Sequence, residues 1–321
     1  MITRRLLLGA ALAAPVSTRA QTWPARPIRV ILPGPVGGLI DIAGRAISEA
    51  MQRELGQPLI IDPRPGANGI MAAQMFLGAP ADGYTLYLTV SGHVVLNMLM
   101  KAPFDVMADF KPIAMVGVST ALLCVPPASS ARDIASFVAL AKADPGKFNY
   151  LNPGNGTGGH LIPEQLKIKY GIDITSISYK GLPPGVQDLL AGRLDFGVIS
   201  TSLVAHHVRA GRLKAIALVG PKRTEDLPDV ATMAEQGVGE LEVRSSLPLY
   251  GQKDLPDAIV ERVSKAVAAS LAEPETQKRL AGAYIEPMPM SPAAMAAALQ
   301  EEHDRLGKLI AQLGIKADGA T

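Results

Sequence analysis

The chain has 321 residues, of which 48% are hydrophobic and 4% aromatic, and its formal net charge is +2 at pH 7. That length can bury a sizeable core and suffices for two domains. The low charge and the scarcity of aromatic side chains argue against binding to nucleic acid or to an anionic membrane surface. Cys124 is the single cysteine, so no internal disulfide can form, and its apolar surroundings predict a buried thiol.

The N-terminal residues have the pattern of an export signal. Arg4 and Arg5 precede the apolar segment Leu6–Ala14, and Thr18–Ala20 offers small residues at a cleavage site. We therefore predict that residues 1–20 are a signal peptide and that the mature protein is a soluble periplasmic protein, since the apolar segment is too short to span a membrane. Whether the two arginines direct twin-arginine or general secretory export stays open.

The first ordered element is expected at Ile28–Leu32, an apolar run typical of a short buried strand. A loop rich in proline and glycine follows, and from Leu39 onward the apolar residues recur at helical spacing. Gly37 and Gly38 therefore stand at a helix start, where free backbone amides and the positive end of the helix dipole attract carboxylate or phosphate. The loop predicts an anion site, and a tight turn that binds nothing is the alternative.

The same succession of strand, loop and helix continues along the chain. Further strands are predicted at 58–62, 84–90, 117–126, 148–151, 174–179, 194–200, 213–219 and 241–250, with helices between and after them. Repeated β-loop-α units indicate an α/β fold with mostly parallel sheets, in which ligands bind at the carboxyl ends of the strands.

The order of these elements predicts two lobes. Pro126-Pro127 ends one strand-like run and marks a crossing between the lobes, and the strand at 241–250 returns the chain. We therefore expect lobe 1 to consist of residues 22–124 and 245–321, and lobe 2 of the inserted residues 125–244. Two such lobes joined by two strands form a hinged cleft.

Each predicted lobe has one glycine loop at a helix start. These loops are Pro33–Gly38 in lobe 1 and Gly154–Gly159 in lobe 2. If the lobes face each other, both helix starts can hold one ligand that has two carboxylates, or one carboxylate and a polar far end. Asp41 either stabilises the first turn of its helix or accepts a hydrogen bond from a ligand ammonium or a bridging water.

Catalytic motifs are scarce. The chain has no Gly-x-Ser-x-Gly elbow, no His-Glu-x-x-His and no Gly-Lys-Ser/Thr phosphate loop. Ser91 and His93 are weak candidates for a nucleophile and its base, and His206-His207 would point to different sides of a helix. We therefore predict a protein that is not an enzyme and has no catalytic residue, metal or cofactor. A periplasmic hydrolase that uses Ser91 and His93 is kept as an alternative.

Several motifs occur in the order found in one family. They are Trp23–Pro33, Gly37-Gly38 with Asp41, Arg64–Ala67, Asp82–Leu86, Gly154–Thr157 with His160, Tyr179–Gly181 and Leu227–Val230. Together they cover essentially the whole mature chain, which resembles the periplasmic substrate-binding proteins of tripartite tricarboxylate transporters, also called Bug-type receptors. The resemblance implies a two-lobed, type II-like Venus-flytrap protein that closes on a small carboxylate held by backbone amides and ordered waters.

The resemblance also implies a role. A monomeric periplasmic protein would capture a small carboxylate between its lobes and deliver it to the permease subunits of the transporter, whereas presentation of the ligand to a sensor kinase is the alternative output. The residues expected to bind the ligand are Pro35, Gly37, Gly38, Leu39, Asp41, Ser91, His93, Gly154, Gly156, Thr157, Gly158, Gly181 and Ser200.

The chain departs from the family pattern at several positions. Gly34 stands where an aromatic residue is usual, Leu39-Ile40 where Gly-Thr is usual, and Gly158-Gly159 where serines are common. Ile199 replaces a frequent Asp, and Ser246 replaces the usual Trp of the returning strand. These changes make the cleft more apolar, so the identity of the ligand is left open.

Overall fold

The structure, a computed structural model, describes residues 23–179, 181–241 and 243–315. The predicted signal peptide, residues 1–20, and Lys180 lie outside these ranges. Within them, no helix is long and apolar enough to cross a membrane.

One sheet contains six strands from both ends of the described chain. The strands are β1 Ile28–Leu32, β2 Leu59–Pro63, β3 Thr85–Leu88, β4 Phe110–Ser119, β10 Ser245–Gln252 and β11 Ile285–Pro287. Their order in this first sheet is β11-β4-β10-β3-β1-β2. The helices of the same lobe are α1 Leu39–Leu55, α2 Ile70–Leu77, α3 Leu96–Leu99, α8 Asp257–Ala272, α9 Pro274–Gly282 and α10 Pro292–Gln312.

The middle of the chain builds a second sheet of five strands. They are β5 Ala121–Val125, β6 Phe148–Asn152, β7 Ile174–Ser178, β8 Phe196–Ser200 and β9 Lys214–Val219, in the order β7-β6-β8-β5-β9. Its helices are α4 Ile134–Ala143, α5 Gly158–Tyr170, α6 Leu182–Leu190 and α7 Thr201–Arg209. Short 3-10 turns lie at Ala67–Gly69, Ser91–Val95 and Gly239–Leu241.

α1 shows why the predicted elements form. Its buried residues recur every three or four positions, so one face of the helix packs against the first sheet. The helix ends at Gly56, whose φ of +74° is a left-handed conformation that glycine adopts without a Cβ penalty. The Gly56 amide then donates to the Gln52 carbonyl at 2.8 Å and completes the last turn.

Both sheets are mixed. β1 is parallel to β2 and β3, whereas β10 is antiparallel to β3 and β4. In the second sheet β6 is parallel to β7 and β8, whereas β5 is antiparallel to β8 and β9. The predicted α/β class and two-lobed architecture are confirmed. The expectation of mostly parallel sheets is corrected, because the strands next to the lobe crossings run against their neighbours.

The chain changes from the first sheet to the second at Thr120. This residue is fixed at the crossing, where its Oγ1 donates to Thr201 Oγ1 at 2.8 Å and its carbonyl accepts from the Thr201 amide at 3.0 Å. The sequence predicts the crossing at Pro126-Pro127 because 117–126 has the pattern of one continuous strand that ends at the two prolines. β5, which the predicted boundary assigns to lobe 1, pairs in the second sheet instead.

Candidate functional site

The two glycine loops both contact the 3-10 turn Ala67–Gly69. A Cβ built on Gly69 would be 2.9 Å from Cβ of Pro33, at the start of the first glycine loop. A Cβ built on Gly154, in the second glycine loop, would be 3.8 Å from Asn68 Oδ1. The turn therefore contacts a loop from each lobe, and the cleft between the lobes is bordered by all three segments.

The predicted amide donors of the first loop are already occupied. The Gly37 amide donates to Asp41 Oδ2 at 2.8 Å, and the Gly38 amide donates to the Pro35 carbonyl at 3.1 Å. The expectation that these two amides are free for a ligand is therefore corrected. Pro35 itself is exposed and takes part through its backbone carbonyl.

The second loop closes on itself in the same way. The Gly156 amide donates to His160 Nδ1 at 3.3 Å, and the Thr157 amide points to the Gly154 carbonyl at 3.4 Å. The Gly154 amide donates to Asn152 Oδ1 at 2.9 Å. These three amides are therefore directed at acceptors in the loop itself or close to it. The prediction that Gly156 and Thr157 offer free donors is corrected as well.

Donors remain one residue further along each loop, at the first helical position. α1 begins at Leu39 and α5 at Gly158, and neither helix has a side-chain cap on its N-cap residue. First-turn amides have no carbonyl within the helix to bond. No described residue accepts a hydrogen bond from the amide of Leu39 or Gly158, and both residues are partly exposed. Each helix start therefore presents the amide of its partly exposed first residue at the positive end of the helix dipole.

Asp41 stabilises its own helix start. The residue is 2% exposed, and both carboxylate oxygens lie 3.0 Å from Arg45 Nε. Burial alone would raise the pKa of Asp41, but the hydrogen bonds from Arg45 and from the Gly37 amide outweigh it and hold this pKa below its usual value. Asp41 therefore stays ionised and paired within the chain, which is the helix-stabilising role rather than the ligand-contacting one.

Ser91 and His93 lie in the protein interior. Ser91 Oγ donates to the Arg244 carbonyl at 3.0 Å and accepts from the Ser246 amide at 3.3 Å. The His93 ring is 6% exposed and packs edge-on against Phe110, with the ring centroids 4.6 Å apart. The expectation that both side chains contact a ligand is corrected, because one ties the chain to β10 and the other belongs to the core.

Two further residues that were predicted to bind the ligand stand at helix starts of the second lobe. Gly181 is the N-cap of α6 with a φ of +94°, and Ser200 is the partly exposed N-cap of α7. These positions fit the predicted β-loop-α succession. Their contact with a ligand stays a prediction.

The 3-10 turn Ala67–Gly69 borders the cleft, although none of its residues was among the predicted ligand-binding residues. Ala67 and Asn68 have φ values of +44° and +49°, and they lie between Gly66 and Gly69, whose φ values are also positive. A left-handed conformation costs a non-glycine residue about 1–2 kcal/mol, and such strain concentrates at functional sites. The sequence signals in this stretch were the family motif Arg64–Ala67 and the density of turn residues in Gly66–Gly69.

We expect Ala67→Gly to raise the free energy of unfolding by about 1 kcal/mol, because glycine adopts a positive φ without the Cβ penalty. Urea unfolding of the two proteins measures this difference. Ala297→Gly, at an exposed position inside α10, is the matched control and should lower the free energy of unfolding by about 1 kcal/mol. Equal destabilisation by both changes would contradict the strained turn.

Close approaches explain the glycines that depart from the family pattern. A Cβ on Gly34 would lie 2.8 Å from Ile40 Cδ1, so the larger Ile40 fills the space beside the glycine. A Cβ on Gly158 would lie 2.8 Å from the Val243 carbonyl oxygen, and one on Gly159 would lie 2.7 Å from Cδ of Pro153. The small residues therefore let backbone segments approach the start of α5.

The described residues offer little for catalysis or metal binding. Among them, no group of three His, Cys, Asp or Glu side chains could hold a metal ion. Cys124 is fully buried, and burial raises the pKa of its thiol, so it does not act as a nucleophile. The chemistry that this site supports is binding through backbone donors.

Comparison with known proteins places the chain among binding receptors. Residues 43–315 match the family described as "Tripartite tricarboxylate transporter family receptor". One curated relative, "UPF0065 protein in tcbD-tcbE intergenic region" of a Pseudomonas species, is 32% identical over 98% of this chain and 96% of its own. Another, "Protein BugT" of Bordetella pertussis, is 31% identical over 96% of this chain and 94% of its own.

Solved structures extend the similarity to the fold. A Rhodopseudomonas palustris protein solved with adipate has a TM-score of 0.85 and 29% identity, covering 92% of this chain and 99% of that chain. MatC of Rhodopseudomonas palustris, with bound malate, has a TM-score of 0.80 and 26% identity, covering 90% of this chain and all (100%) of that chain. Both similarities extend over both lobes.

Proposed function

The chain belongs to the tripartite tricarboxylate transporter receptor family, and on that premise we propose that it is an exported solute-binding protein that captures a small carboxylate and delivers it to the permease of such a transporter. One observation carries the choice of ligand: α1 and α5, from opposite lobes, each start with an amide that no described residue engages. A carboxylate between the lobes would accept from both.

Backbone donors are favoured over basic side chains because nearby arginines are already paired. Arg45 lies against Asp41, and Arg64 Nε is 2.9 Å from Asp62 Oδ1. The adipate and malate bound by the two Rhodopseudomonas palustris proteins are dicarboxylates, which have one anionic group for each helix start. A small dicarboxylate is therefore the ligand class that we propose.

The two helix starts are not equivalent. The first turn of α1 contains Asp41, whereas the first turn of α5 contains no acidic residue. A negative charge is stabilised near a helix N-terminus and repelled by a neighbouring carboxylate. The more tightly held carboxylate therefore belongs at α5, and the α1 end tolerates a weaker polar group.

The sharpest test removes one amide without changing the helix. Leu39 is the first helical residue of α1, a position where proline is tolerated because its N–H has no helical partner. Leu39→Pro should weaken adipate or malate binding about ten- to a hundred-fold, since one hydrogen bond to a charged group contributes about 1.5–3 kcal/mol. Titration calorimetry with both acids measures this change.

Two variants serve as controls for this titration. Leu39→Ala removes the same side chain but keeps the amide, so it should bind far better than Leu39→Pro. Arg64→Ala tests the competing salt-bridge explanation and should leave affinity within a few-fold of the original. Equal losses in the two Leu39 variants, or loss of binding only in Arg64→Ala, would show that the backbone amide is not the donor.

Delivery of the ligand to a permease and presentation of the ligand to a sensor kinase both require the same closed, ligand-bound protein. We therefore propose transport on the basis of the family alone. The hydrolase alternative has no support in the geometry. Ser91 is hydrogen-bonded to backbone groups, and His93 Nε2 has no hydrogen-bond partner among the described residues. We therefore propose a binding protein that does not turn over its ligand, and stoichiometric calorimetry without heat from turnover is the expected result.

A further inference from the structure

A cavity lies at the hinge, and its lining includes no residue of the two glycine loops. Its volume is about 430 Å³, within the range of small-molecule sites. Residues from β4, β10 and α10 of the first lobe line it, among them Met115, Ser246 and Leu299. We call this space the hinge cavity.

The second lobe supplies the opposite wall of the hinge cavity. Gly239 and Glu240 of the 3-10 turn and Arg244, just before β10, face it. The turn is tied to α5 because Gln165 Nε2 donates to the Leu241 carbonyl at 3.1 Å. An occupant of the hinge cavity would therefore contact both lobes.

Most of the inner wall is apolar. Met115 and Leu299 are each 3% exposed, and Met288 and Met290 pack against the same core cluster. Thioether groups are polarizable and make favourable contacts with aromatic rings. The wall therefore suits an apolar body, and an aromatic ring in particular.

One polar group on this wall has no partner. Ser246 is 7% exposed, and its Oγ has no hydrogen-bond partner among the described residues. A buried hydroxyl without a partner is destabilising, so a ligand group that can donate to it or accept from it would be stabilised there. A ligand hydroxyl has this property.

The charged groups at the cavity favour an uncharged occupant. Glu240 is paired with Lys169, and Glu302 lies close enough to Arg305 and Ser91 for both to lower its pKa. Burial nevertheless raises the pKa of Glu302, which shows that a charge is poorly solvated on this side. Acidic and basic side chains both line the cavity, Glu240, Glu301 and Glu302 together with Arg244 and Arg305, so an ionised ligand of either sign would meet like charges as well as opposite ones.

We propose that the hinge cavity is a second ligand site for a small uncharged molecule with an apolar body and one hydroxyl, for which phenol is the simplest probe. The ring lies against the three methionines, and the hydroxyl pairs with Ser246 Oγ. This site is separate from the carboxylate site and does not depend on it.

Methionine-methyl NMR of the unmodified protein tests occupancy without any substitution. Phenol should cause saturable shifts of the Met115, Met288 and Met290 methyl signals and leave those of the exposed Met71 and Met75 unchanged. Shifts confined to the exposed methionines, or no saturable shift before the protein unfolds, would overturn the proposal.

Variants of Ser246 test the hydroxyl pairing. Ser246→Ala should weaken phenol binding about fivefold, as expected for one neutral hydrogen bond, and leave binding of toluene, which has no hydroxyl, unchanged. Ser270→Ala, at a buried serine of α8, is the matched control and should bind phenol normally. Ser246→Trp should fill the cavity and abolish binding of both probes.

Other outcomes decide against the assignment. Binding of benzoate in preference to phenol would show that an arginine, not Ser246, selects the ligand. Equal loss of phenol and toluene binding in Ser246→Ala would show that the hydroxyl plays no part. Should Ser246→Trp fail to fold, the alanine variant and the NMR shifts still decide the question.

Discussion

Gly156→Ala is expected to weaken ligand binding about 5- to 150-fold. A Cβ at this position would lie 2.2 Å from Leu99 Cδ1, across the contact between the lobes. Leu99 is 3% exposed and packed in the core, so it has little room to move. Overpacking of this kind costs about 1–3 kcal/mol. In our proposal that cost applies only when the lobes are together, and calorimetry with adipate or malate measures it as lost affinity.

Gly171→Ala is the control that separates the steric clash with Leu99 from the cost of a positive φ in alanine. Gly171 also has a positive φ, +62°, but a Cβ there would meet nothing within 4 Å. Both variants should lower the free energy of unfolding by about 1–2 kcal/mol, and only Gly156→Ala should lose affinity. Adding Leu99→Val to Gly156→Ala should restore part of it. Equal loss of affinity in the two glycine variants would contradict a role for the Leu99 contact.

His93 should make the protein unstable in mild acid. Burial lowers the pKa of His93 to about 4, whereas the unfolded value is about 6.5. The unfolded chain therefore binds the proton first as pH falls, so the stabilisation is complete above pH 6.5 and is lost as pH falls towards 4. The loss amounts to about 3 kcal/mol over that window.

His93→Phe should remove most of this acid sensitivity. The ring lies among Tyr87, Phe110 and Tyr250, so a phenyl group fits the cluster and leaves no unpartnered nitrogen. Urea unfolding at pH 7 and about pH 4.5 gives the comparison. His206→Gln, at an exposed position, should retain the original pH dependence. If the phenylalanine variant loses as much stability as the original protein, another group is responsible.

The local spacing of apolar residues predicted where several helices and strands begin. α1 starts at Leu39 because the helical spacing starts there, and β1 occupies Ile28–Leu32 as predicted. The break at Thr120 was not predictable, because 117–126 has the pattern of one strand and no glycine or proline separates β4 from β5. Which sheet each strand joins is decided by pairing with distant strands, and a local pattern does not contain that information.

The two helix starts that border the cleft were predictable to within about one residue. Glycine loops before helices identified both helix starts, since amides at those positions lack helical partners. The sequence could not show that Asp41 and His160 fold back onto Gly37 and Gly156, because those bonds depend on the loop conformation. For the same reason His93 was expected to contact the ligand, although its ring lies in the core.

The position of β10 has a consequence for the order in which the chain folds. β10 lies between β4 and β3, yet it follows the whole second sheet in the sequence. The second sheet needs only residues 121–219 and can form as soon as they are available. The first sheet stays divided, with two open edges, until residue 252 arrives. A chain that crosses a membrane unfolded would therefore complete its inserted lobe first and depend on protection from aggregation until β10 joins the two halves.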